Sequence, residues 1–398
     1  MKHLKKLGVV AAVATLGLPL AAQAETSVTM YGKLYPQIMH AKVSGASSAG
    51  VSDLSNQAGE ADYSGSGMAS NNSKLGIRGS EDLGNNLKAI FQLEMNVGVN
   101  DGSGGSSSAM WNRNSFVGLE GDFGSLRFGH EDTPYKAIGD NLSFLGVSSG
   151  NFVANSTILS KHGFGSSSAS SFHLRRNNAI TYESPKFSGF QFLAQYSKDT
   201  PDFTSDVKPW VLSTGILYDN GPLYLALAYE YHKDLYGGSR NMPTAAQRNL
   251  AGKSSKDTAI RLTAGYKFTK STRAEANFAH LKLSESGGAV GDFDSYKHNS
   301  WSLNVQHKIG AATLQASYAQ ATAGSCTLVG VDCDASGLEG KQFNIGASYA
   351  LSKRTFLFAI ASKLINGESA RFNNLGLDGD VSPGADITQV AVGLAHSF

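Results

Sequence analysis

The chain has 398 residues and a near-neutral charge balance, with 34 basic against 32 acidic side chains. This balance argues against a function that depends on bulk electrostatic attraction to nucleic acid. Its 45 glycines, 15 tyrosines and 20 phenylalanines, against 9 prolines, favour many short strands joined by turns. Beyond the N-terminus no run of 18 apolar residues occurs, so the sequence predicts no membrane-spanning helix.

The first 24 residues have the pattern of an export signal. Three lysines precede an apolar run from Leu7 to Leu20, and the small residues of Ala22–Ala24 flank a cleavage point before Glu25. The run is shorter than the roughly 20 residues that a spanning anchor needs. We therefore predict a signal peptide over residues 1–24 and a mature domain over residues 25–398, with 31 basic residues once those three lysines are removed from the 34.

The first predicted strand follows the signal, in TSVTMYGKLYPQI. Val28, Met30 and Ile38 fall on one face, and Lys33 and Tyr35 fall on the other. Side chains alternate in a strand, so the first face is apolar and the second polar. A glycine- and serine-rich loop is predicted to follow, to about Ser70.

Two hairpins come next, turning at Glu81–Asn85 and at Gly121–Gly124. Alternation places basic side chains on the polar, inward face of both hairpins and assigns Phe116 to the outward face with Leu126 and Phe128. The basic side chains that we assign to the inward wall, including one where the wall resumes after a long loop, are Lys33, Lys74, Arg78, Arg113, Arg127 and Arg175.

The longest irregular stretch runs from Glu131 to about Leu174, and loops of this length are usually functional or disordered. If it folds inward, Glu131, Asp132 and Asp140 can oppose the basic wall and set a transverse field. The alternative is a solvated wall whose charges only keep it soluble.

Five further turns are predicted downstream, at Pro185–Ser188, Asp219–Pro222, Thr269–Ser271, Lys308–Ala311 and Leu351–Arg354. Before the last of them, Cys326 and Cys333 enclose six residues, so an exported chain can close a disulfide there. Two independent thiols are the alternative.

The last strand ends the chain at Phe398. Val390, Val392 and Leu394 share one face, and Gln389 and Ala391 share the other. An edge strand of a soluble sandwich would show a similar pattern. However, the count reaches sixteen strands in which short turns alternate with long loops, as in outer-membrane barrels. Such a sheet must close in lipid, and sixteen strands leave an aqueous channel.

Several segments resemble the general trimeric porins of Gram-negative bacteria, over the whole mature chain. They are TMYGKL, SKLGIRGSEDLGNNLKAIFQLE, RNSFVGLEGDFGSLRFGHEDTPY, RRNNAITYESPKFSGF and the terminal VGLAHSF. The resemblance implies an all-β, sixteen-stranded antiparallel transmembrane barrel, a homotrimer, and a third external loop (131–174) folded into the lumen as a constriction.

Carried over by position, the resemblance assigns Lys33, Lys74, Arg113 and Arg175 to the basic cluster of the constriction, and Asp140 to a loop acid. It places His130 on the outward face, at the subunit contact. The implied location is the outer membrane, among lipid and lipopolysaccharide, with delivery by the barrel-assembly machinery through the strand that ends in Phe398.

The sequence thus predicts a passive channel for ions and small hydrophilic solutes with a weak anion preference. No catalytic, cofactor or metal site is expected, because the ten histidines show no ligand spacing. The alternatives are a porin selective for one anion or oligosaccharide and, from other classes, an outer-membrane hydrolase or an adhesin barrel.

Overall fold

We describe a computed structural model of the chain over residues 26–47, 52–55, 62–102, 110–147, 150–164, 171–198, 209–235 and 254–398. The predicted export signal lies outside these residues. The strands are β1 Ser27–Leu34, β2 Gln37–Ser44, β3 Tyr63–Ala69, β4 Lys74–Gly84, β5 Leu87–Asn96, β6 Ser115–Gly121, β7 Gly124–Asp132, β8 Arg175–Glu183, β9 Phe190–Lys198, β10 Trp210–Asn220, β11 Leu223–Lys233, β12 Ser254–Lys267, β13 Thr272–Ser286, β14 Phe293–Ile309, β15 Ala312–Ala321, β16 Ser325–Leu328, β17 Gly340–Ala350, β18 Thr355–Asn366 and β19 Asp386–Ser397.

These strands form one closed antiparallel barrel. β1 and β2 are two halves of one barrel strand interrupted at Pro36, and β3 and β4 are two halves of the next. The short β16 pairs only with the end of β14, in a loop. Sixteen barrel strands remain, and the sheet closes because β19 pairs with both β1 and β2. The predicted fold class and strand number are confirmed.

Burial alternates along the strands as predicted. In the last strand Val390 and Val392 are 49% and 57% exposed, whereas Gln389 and Ala391 are 1% and 4% exposed. The exposed face is apolar and the covered face small or polar, which is the reverse of a soluble protein with an apolar core. The first hairpin turns on Asn85 and Asn86, which both adopt positive φ, the backbone that a two-residue hairpin favours.

Two local predictions are wrong. The glycine- and serine-rich stretch before Ser70 contains a strand, β3, because pairing with β2 satisfies a backbone of low strand propensity. Phe116 lies inside the barrel, since its register partners are Gln92 and Gly129, and the Arg127 guanidinium lies 5.2 Å from its ring centroid.

The chain between β7 and β8 folds into the lumen and carries two short helices, α1 Pro134–Gly139 and α2 Ser156–Ser160. This segment, hereafter loop 3, packs on the inner wall along most of its length. Tyr135, Phe152, Ile158 and Phe164 are each at most 1% exposed and belong to three apolar clusters between the loop and the wall. The core of the molecule therefore lies inside the barrel, on one side of the lumen.

A second loop, between β18 and β19, also turns inward and packs against loop 3. Phe372 is 2% exposed, Arg371 donates its backbone N–H to the Gly163 carbonyl, and the Asn374 side chain donates to the Phe152 carbonyl. The predicted disulfide between Cys326 and Cys333 is formed, with the two Cα atoms 5.6 Å apart. Neither α1 nor α2, nor any other helix in the described ranges, is long and apolar enough to span a membrane.

Candidate channel constriction

The first part of the basic wall centres on an acid of the wall itself. Glu94 on β5 accepts from Lys74 Nζ at 2.8 Å, from Arg113 Nε at 2.6 Å and from Tyr31 Oη at 3.0 Å. Glu94 is 3% exposed, so its charge is covered by its three donors. Two cations therefore share one carboxylate on this part of the wall.

The second part repeats this arrangement beside loop 3. Asp132, at the end of β7, forms ion pairs through Oδ1 with Arg175 Nη2 at 2.9 Å and with Lys136 Nζ at 2.8 Å. Lys136 belongs to α1, so the loop contributes a cation to the wall. Arg175 also donates to the Asn114 side chain and to the Asn112 carbonyl. Again one carboxylate serves two cations.

Two further wall cations have no acidic partner in the part of the chain that the structure describes. Lys33 Nζ lies 2.5 Å from the Gly146 carbonyl of loop 3 and 4.7 Å from the centroid of the Tyr35 ring. Arg78 is exposed to the lumen, with its guanidinium 5.1 Å from the centroid of the Tyr31 ring. These contacts orient both cations without neutralising them.

Arg127 differs from the other wall cations because it forms ion pairs with two carboxylates. Its Nε lies 2.8 Å from Glu131 and its Nη1 lies 3.0 Å from Glu183. Glu131, predicted as a constriction acid, is 4% exposed and bound to this strand neighbour. This group carries one cation and two carboxylates, and it lies toward the turn that joins β8 to β9.

Asp140 is not brought to the basic wall. It follows α1 and lies against the opposite wall, 2.9 Å from Arg261 Nη2 on β12 and 2.7 Å from His173 Nε2. Burial lowers the pKa of His173 in spite of Asp140, so we assign a neutral imidazole that donates to the carboxylate. Burial alone would raise the pKa of Asp140, but the neighbouring His173 and Arg261 hold it well below its usual range. This group anchors loop 3.

Sequence reasoning missed Glu94, Lys136 and Arg261. Alternation gives a signal for Glu94, because Gln92 and Glu94 alternate with the outward Leu93, but it names no partner. The positions of Lys136 and Arg261 depend on where loop 3 lands, for which the sequence holds no local signal. His130 is half-buried at the irregularity between Gly129 and Glu131 in the pairing of β7 with β8, and its Nε2 is 3.4 Å from the Asn112 carbonyl.

A polar cavity of about 680 Å³ opens beside the wall, where loop 3 meets the β3–β4 connection, the β5–β6 loop and the β18–β19 loop. It is lined by three cations, Arg113, Lys136 and Arg175, by two carboxylates, Asp101 and Asp378, and by amides that include Asn96. Two acids of the opposite wall, Glu230 and Glu275, are 0% and 3% exposed, and Glu275 accepts from the Leu142 backbone of loop 3. Water in the channel therefore meets the basic wall rather than these acids.

Within the ranges described, no three His, Cys, Asp or Glu side chains are placed to hold a metal ion. The arrangement supplies fixed charges around a water-filled gap, with an apolar belt outside. A closed barrel of this kind, with its constriction inside, defines an outer-membrane channel.

The chain belongs to the Gram-negative porin family, whose sequence profile matches residues 8–366. It is 28% identical to an outer membrane porin protein of Bordetella pertussis, over 99% of this chain and 100% of that protein. It is 28% identical to outer membrane porin protein 32 of Delftia acidovorans, over 97% of this chain and 98% of the relative. The solved anion-selective porin from Comamonas acidovorans superposes with a TM-score of 0.68 at 26% identity, over 94% of this chain and 100% of that structure. The protein is thus an outer-membrane porin, as its sequence predicts.

Proposed function

We propose that this porin passes ions and small hydrophilic solutes passively and prefers anions weakly. The proposal rests on one observation, the unequal sharing of charge on the wall beside loop 3. Six cations there meet Glu94 and Asp132, and Asp101 and Asp378 line the same cavity, so six positive and four negative charges leave a formal charge of +2. The cations are Lys33, Lys74, Arg78, Arg113, Lys136 and Arg175.

A positive wall raises the local concentration of anions in the narrow part of the channel. The Arg127 group, with one cation and two carboxylates, contributes −1 and keeps the total low. Conduction also needs binding that is weak enough to release the solute. Carboxylates that are each shared by two cations weaken the attraction of the wall for anions but leave it positive, so a bound anion can be released. The proposal contains no catalytic step.

The test is the reversal potential of the purified protein in planar bilayers across a KCl gradient. We expect anion preference in the wild type and, in 0.1 M salt, an anion-over-cation ratio that is about threefold lower in Arg113→Ala. One unit charge at about 6 Å, screened by this salt, changes the partition of anions and of cations by a factor of about two each, in opposite directions. Lys186→Ala is the matched control, since Lys186 is exposed and pairs with Asp219 near the β8–β9 turn. Cation preference of the wild type would reject the proposal.

We also propose a homotrimer in the outer membrane, surrounded by lipid and lipopolysaccharide and assembled through the last strand. Large apolar side chains such as Val28, Met30 and Ile38 are 61–65% exposed on the outward face of the first barrel strand, which supports a subunit contact there. Phe398 pairs with the Gly32 backbone and is 43% exposed. We expect a threefold mass for the protein extracted from outer membranes and a much lower yield after deletion of Phe398. A monomer mass would reject the trimer.

A further inference from the structure

Four lysines lie on the outward face of four neighbouring strands, at the ends that lead into the long loops. They are Lys233 on β11, Lys256 on β12, Lys282 on β13 and Lys297 on β14. The opposite ends of these strands enter short turns, at residues 221–222, 268–271 and 310–311. Outer-membrane barrels have their short turns on the periplasmic side, so the four lysines, hereafter the lysine patch, face the outer leaflet.

The lysines of this patch are strand partners of one another. Register places Lys233 directly opposite Lys256, and Lys282 directly opposite Lys297. Opposed side chains of an antiparallel pair have Cβ atoms about 5 Å apart, and like charges in that position are destabilising. Lys256 lies opposite Ser284, which makes it a diagonal neighbour of Lys282. The sheet therefore holds like charges side by side across four strands.

Few acids offset the lysine patch. Lys233 binds Asp234 at 3.1 Å, and Asp294 of β14 accepts from the Thr327 hydroxyl at 2.8 Å. The other three lysines are exposed and form no ion pair with any residue that the structure describes. Four positive and two negative charges leave a formal charge of +2 on this part of the outer surface.

Below the lysine patch the same face changes from charged to polar and then to apolar. His280 and Asn299 lie one outward position closer to the turns and are joined by a hydrogen bond of 2.8 Å. The next outward row holds Leu262, Phe278 and Trp301, which are 42–49% exposed. Successive outward positions on a strand are about 7 Å apart, so the apolar row begins about 13 Å below the lysines. A lipid whose phosphates sit on sugars that carry acyl chains has its groups in the same order.

We infer that the lysine patch binds the phosphates of lipopolysaccharide, with the acyl chains of that lipid packed over the apolar row. A phosphate between two opposed lysines replaces their repulsion by charge-assisted hydrogen bonds to both. Strands β11–β14 are the ninth to the twelfth of the sixteen barrel strands, so they lie across the barrel from the first, where the subunit contact is proposed. Lipid, rather than a second copy of the chain, therefore covers this face. The inference rests on the proposed contact with lipopolysaccharide and names its site.

Lys282→Gln combined with Lys297→Gln tests the inference, because glutamine keeps a polar side chain and removes both charges. The probe is bisphosphorylated lipid A, titrated against the full mature chain in a neutral detergent, with bound lipid counted by native mass spectrometry. We expect about 30-fold weaker binding, since each cation near an anionic lipid contributes about fivefold. Lys267→Gln with Lys308→Gln is the matched control, since both are exposed lysines at the turn ends of β12 and β14. It should keep the wild-type affinity, and equal weakening in both double variants would overturn the inference.

Two further probes separate recognition of the phosphates from general contact with lipid. Dephosphorylated lipid A keeps the acyl chains, and we expect it to bind the wild type much more weakly. Equal affinity for the two lipids would mean that the apolar belt alone holds them, against the inference. Inorganic phosphate should compete poorly, because it cannot use the apolar row. Displacement of lipid A by an equal concentration of inorganic phosphate would assign the patch to a free anion instead of a lipid.

Salt supplies a measurement that needs no variant. Between 0.1 M and 1 M ionic strength the screening length falls from about 10 Å to about 3 Å, so the wild type should bind bisphosphorylated lipid A more weakly at 1 M. Unchanged affinity would contradict a site made of lysines.

The outcomes also separate this inference from the proposed function. A wild type that binds no lipid A would reject the proposed contact with lipopolysaccharide as a whole. Binding that is equal in the wild type and in the Lys282/Lys297 variant would reject only the site. The lysines face away from the lumen, so the reversal potential that tests the anion preference should be the same in the wild type and in this variant.

Discussion

Replacing Lys33 with methionine and Arg78 with glutamine in one chain is expected to lower the anion-over-cation permeability ratio about tenfold. In 0.1 M salt each unit charge at about 6 Å changes the anion-over-cation ratio roughly threefold, because anions and cations shift in opposite directions. These two cations have no acidic partner in the described residues. A weak anion preference then becomes a cation preference. The measurement is the reversal potential across a KCl gradient, in 0.1 M salt on the dilute side.

The matched control is Lys42→Met with Lys297→Met. This double variant loses the same charge from two strands, but both side chains are exposed on the face of the sheet opposite the lumen. It should keep the wild-type ratio. If the control and the Lys33/Arg78 variant shift the ratio equally, net charge governs selectivity and the wall does not.

The effect should be larger than that of Arg113→Ala for a structural reason. Arg113 shares Glu94 with Lys74, so its loss lets the carboxylate neutralise Lys74 more completely. Lys33 and Arg78 are held by a carbonyl and by aromatic rings, which remain neutral when the cations are removed. The larger effect therefore comes first from the removal of two charges instead of one, and then from the absence of a carboxylate beside either cation.

Most of the barrel could be predicted from the sequence, because alternation and turn residues are local signals. Six of the seven short turns fall at the predicted positions, and the first lies at Asn85 and Asn86, at the end of the predicted Glu81–Asn85. The outward apolar face follows from residues such as Val390 and Val392. Alternation fails where a strand contains an irregularity. Arg113 and Asn114 are consecutive, yet both side chains reach the same inward network, with Glu94 and with Arg175 respectively. An extra residue of this kind exchanges the inward and outward faces for the residues that follow it in the strand. This exchange explains why Phe116 lies inside the barrel although alternation predicts it outside.

The candidate site was less predictable, because its geometry depends on contacts between residues far apart in the chain. Asp140 and Arg261 are separated by 121 positions, and Asn374 and Phe152 by 222. No local pattern in loop 3 indicates which wall it meets, so an acid expected at the basic wall lies against the opposite one. The sequence could identify the inward charges of the strands, but it could not pair them.

The anchor of loop 3 leads to the second large expected effect. Arg261 is 1% exposed, and its Nη2 donates to the Gly139 carbonyl and to Asp140, while Asp140 also binds His173 on the returning half of the loop. One guanidinium thus holds both ends of the loop on β12. Removing one partner of a buried ion pair costs about 3–5 kcal/mol, since the remaining charge is left without compensation.

Arg261→Met is therefore expected to release α1 and the returning segment from the wall while the barrel stays closed. Single-channel recordings should show a higher mean conductance, a larger cutoff for neutral polymers and more frequent transitions between levels. Arg273→Met is the control, because Arg273 is a half-buried cation on the adjacent β13 that bonds to Gln306. It should keep the wild-type conductance.

Lowering the pH should make transitions between conductance levels more frequent in the wild type, as Arg261→Met does. Burial lowers the pKa of His173, and a group with a lowered pKa in the folded state contributes stability above its ordinary value, near 6.5, that is lost as the pH falls. The pKa of Asp140 is also held low, so its contribution is lost further down, below about 3.9. Transitions between levels should therefore become more frequent in the wild type as the pH falls from 7 toward 4, with a smaller change in Arg261→Met. Equal pH dependence in both would show that another group controls the loop.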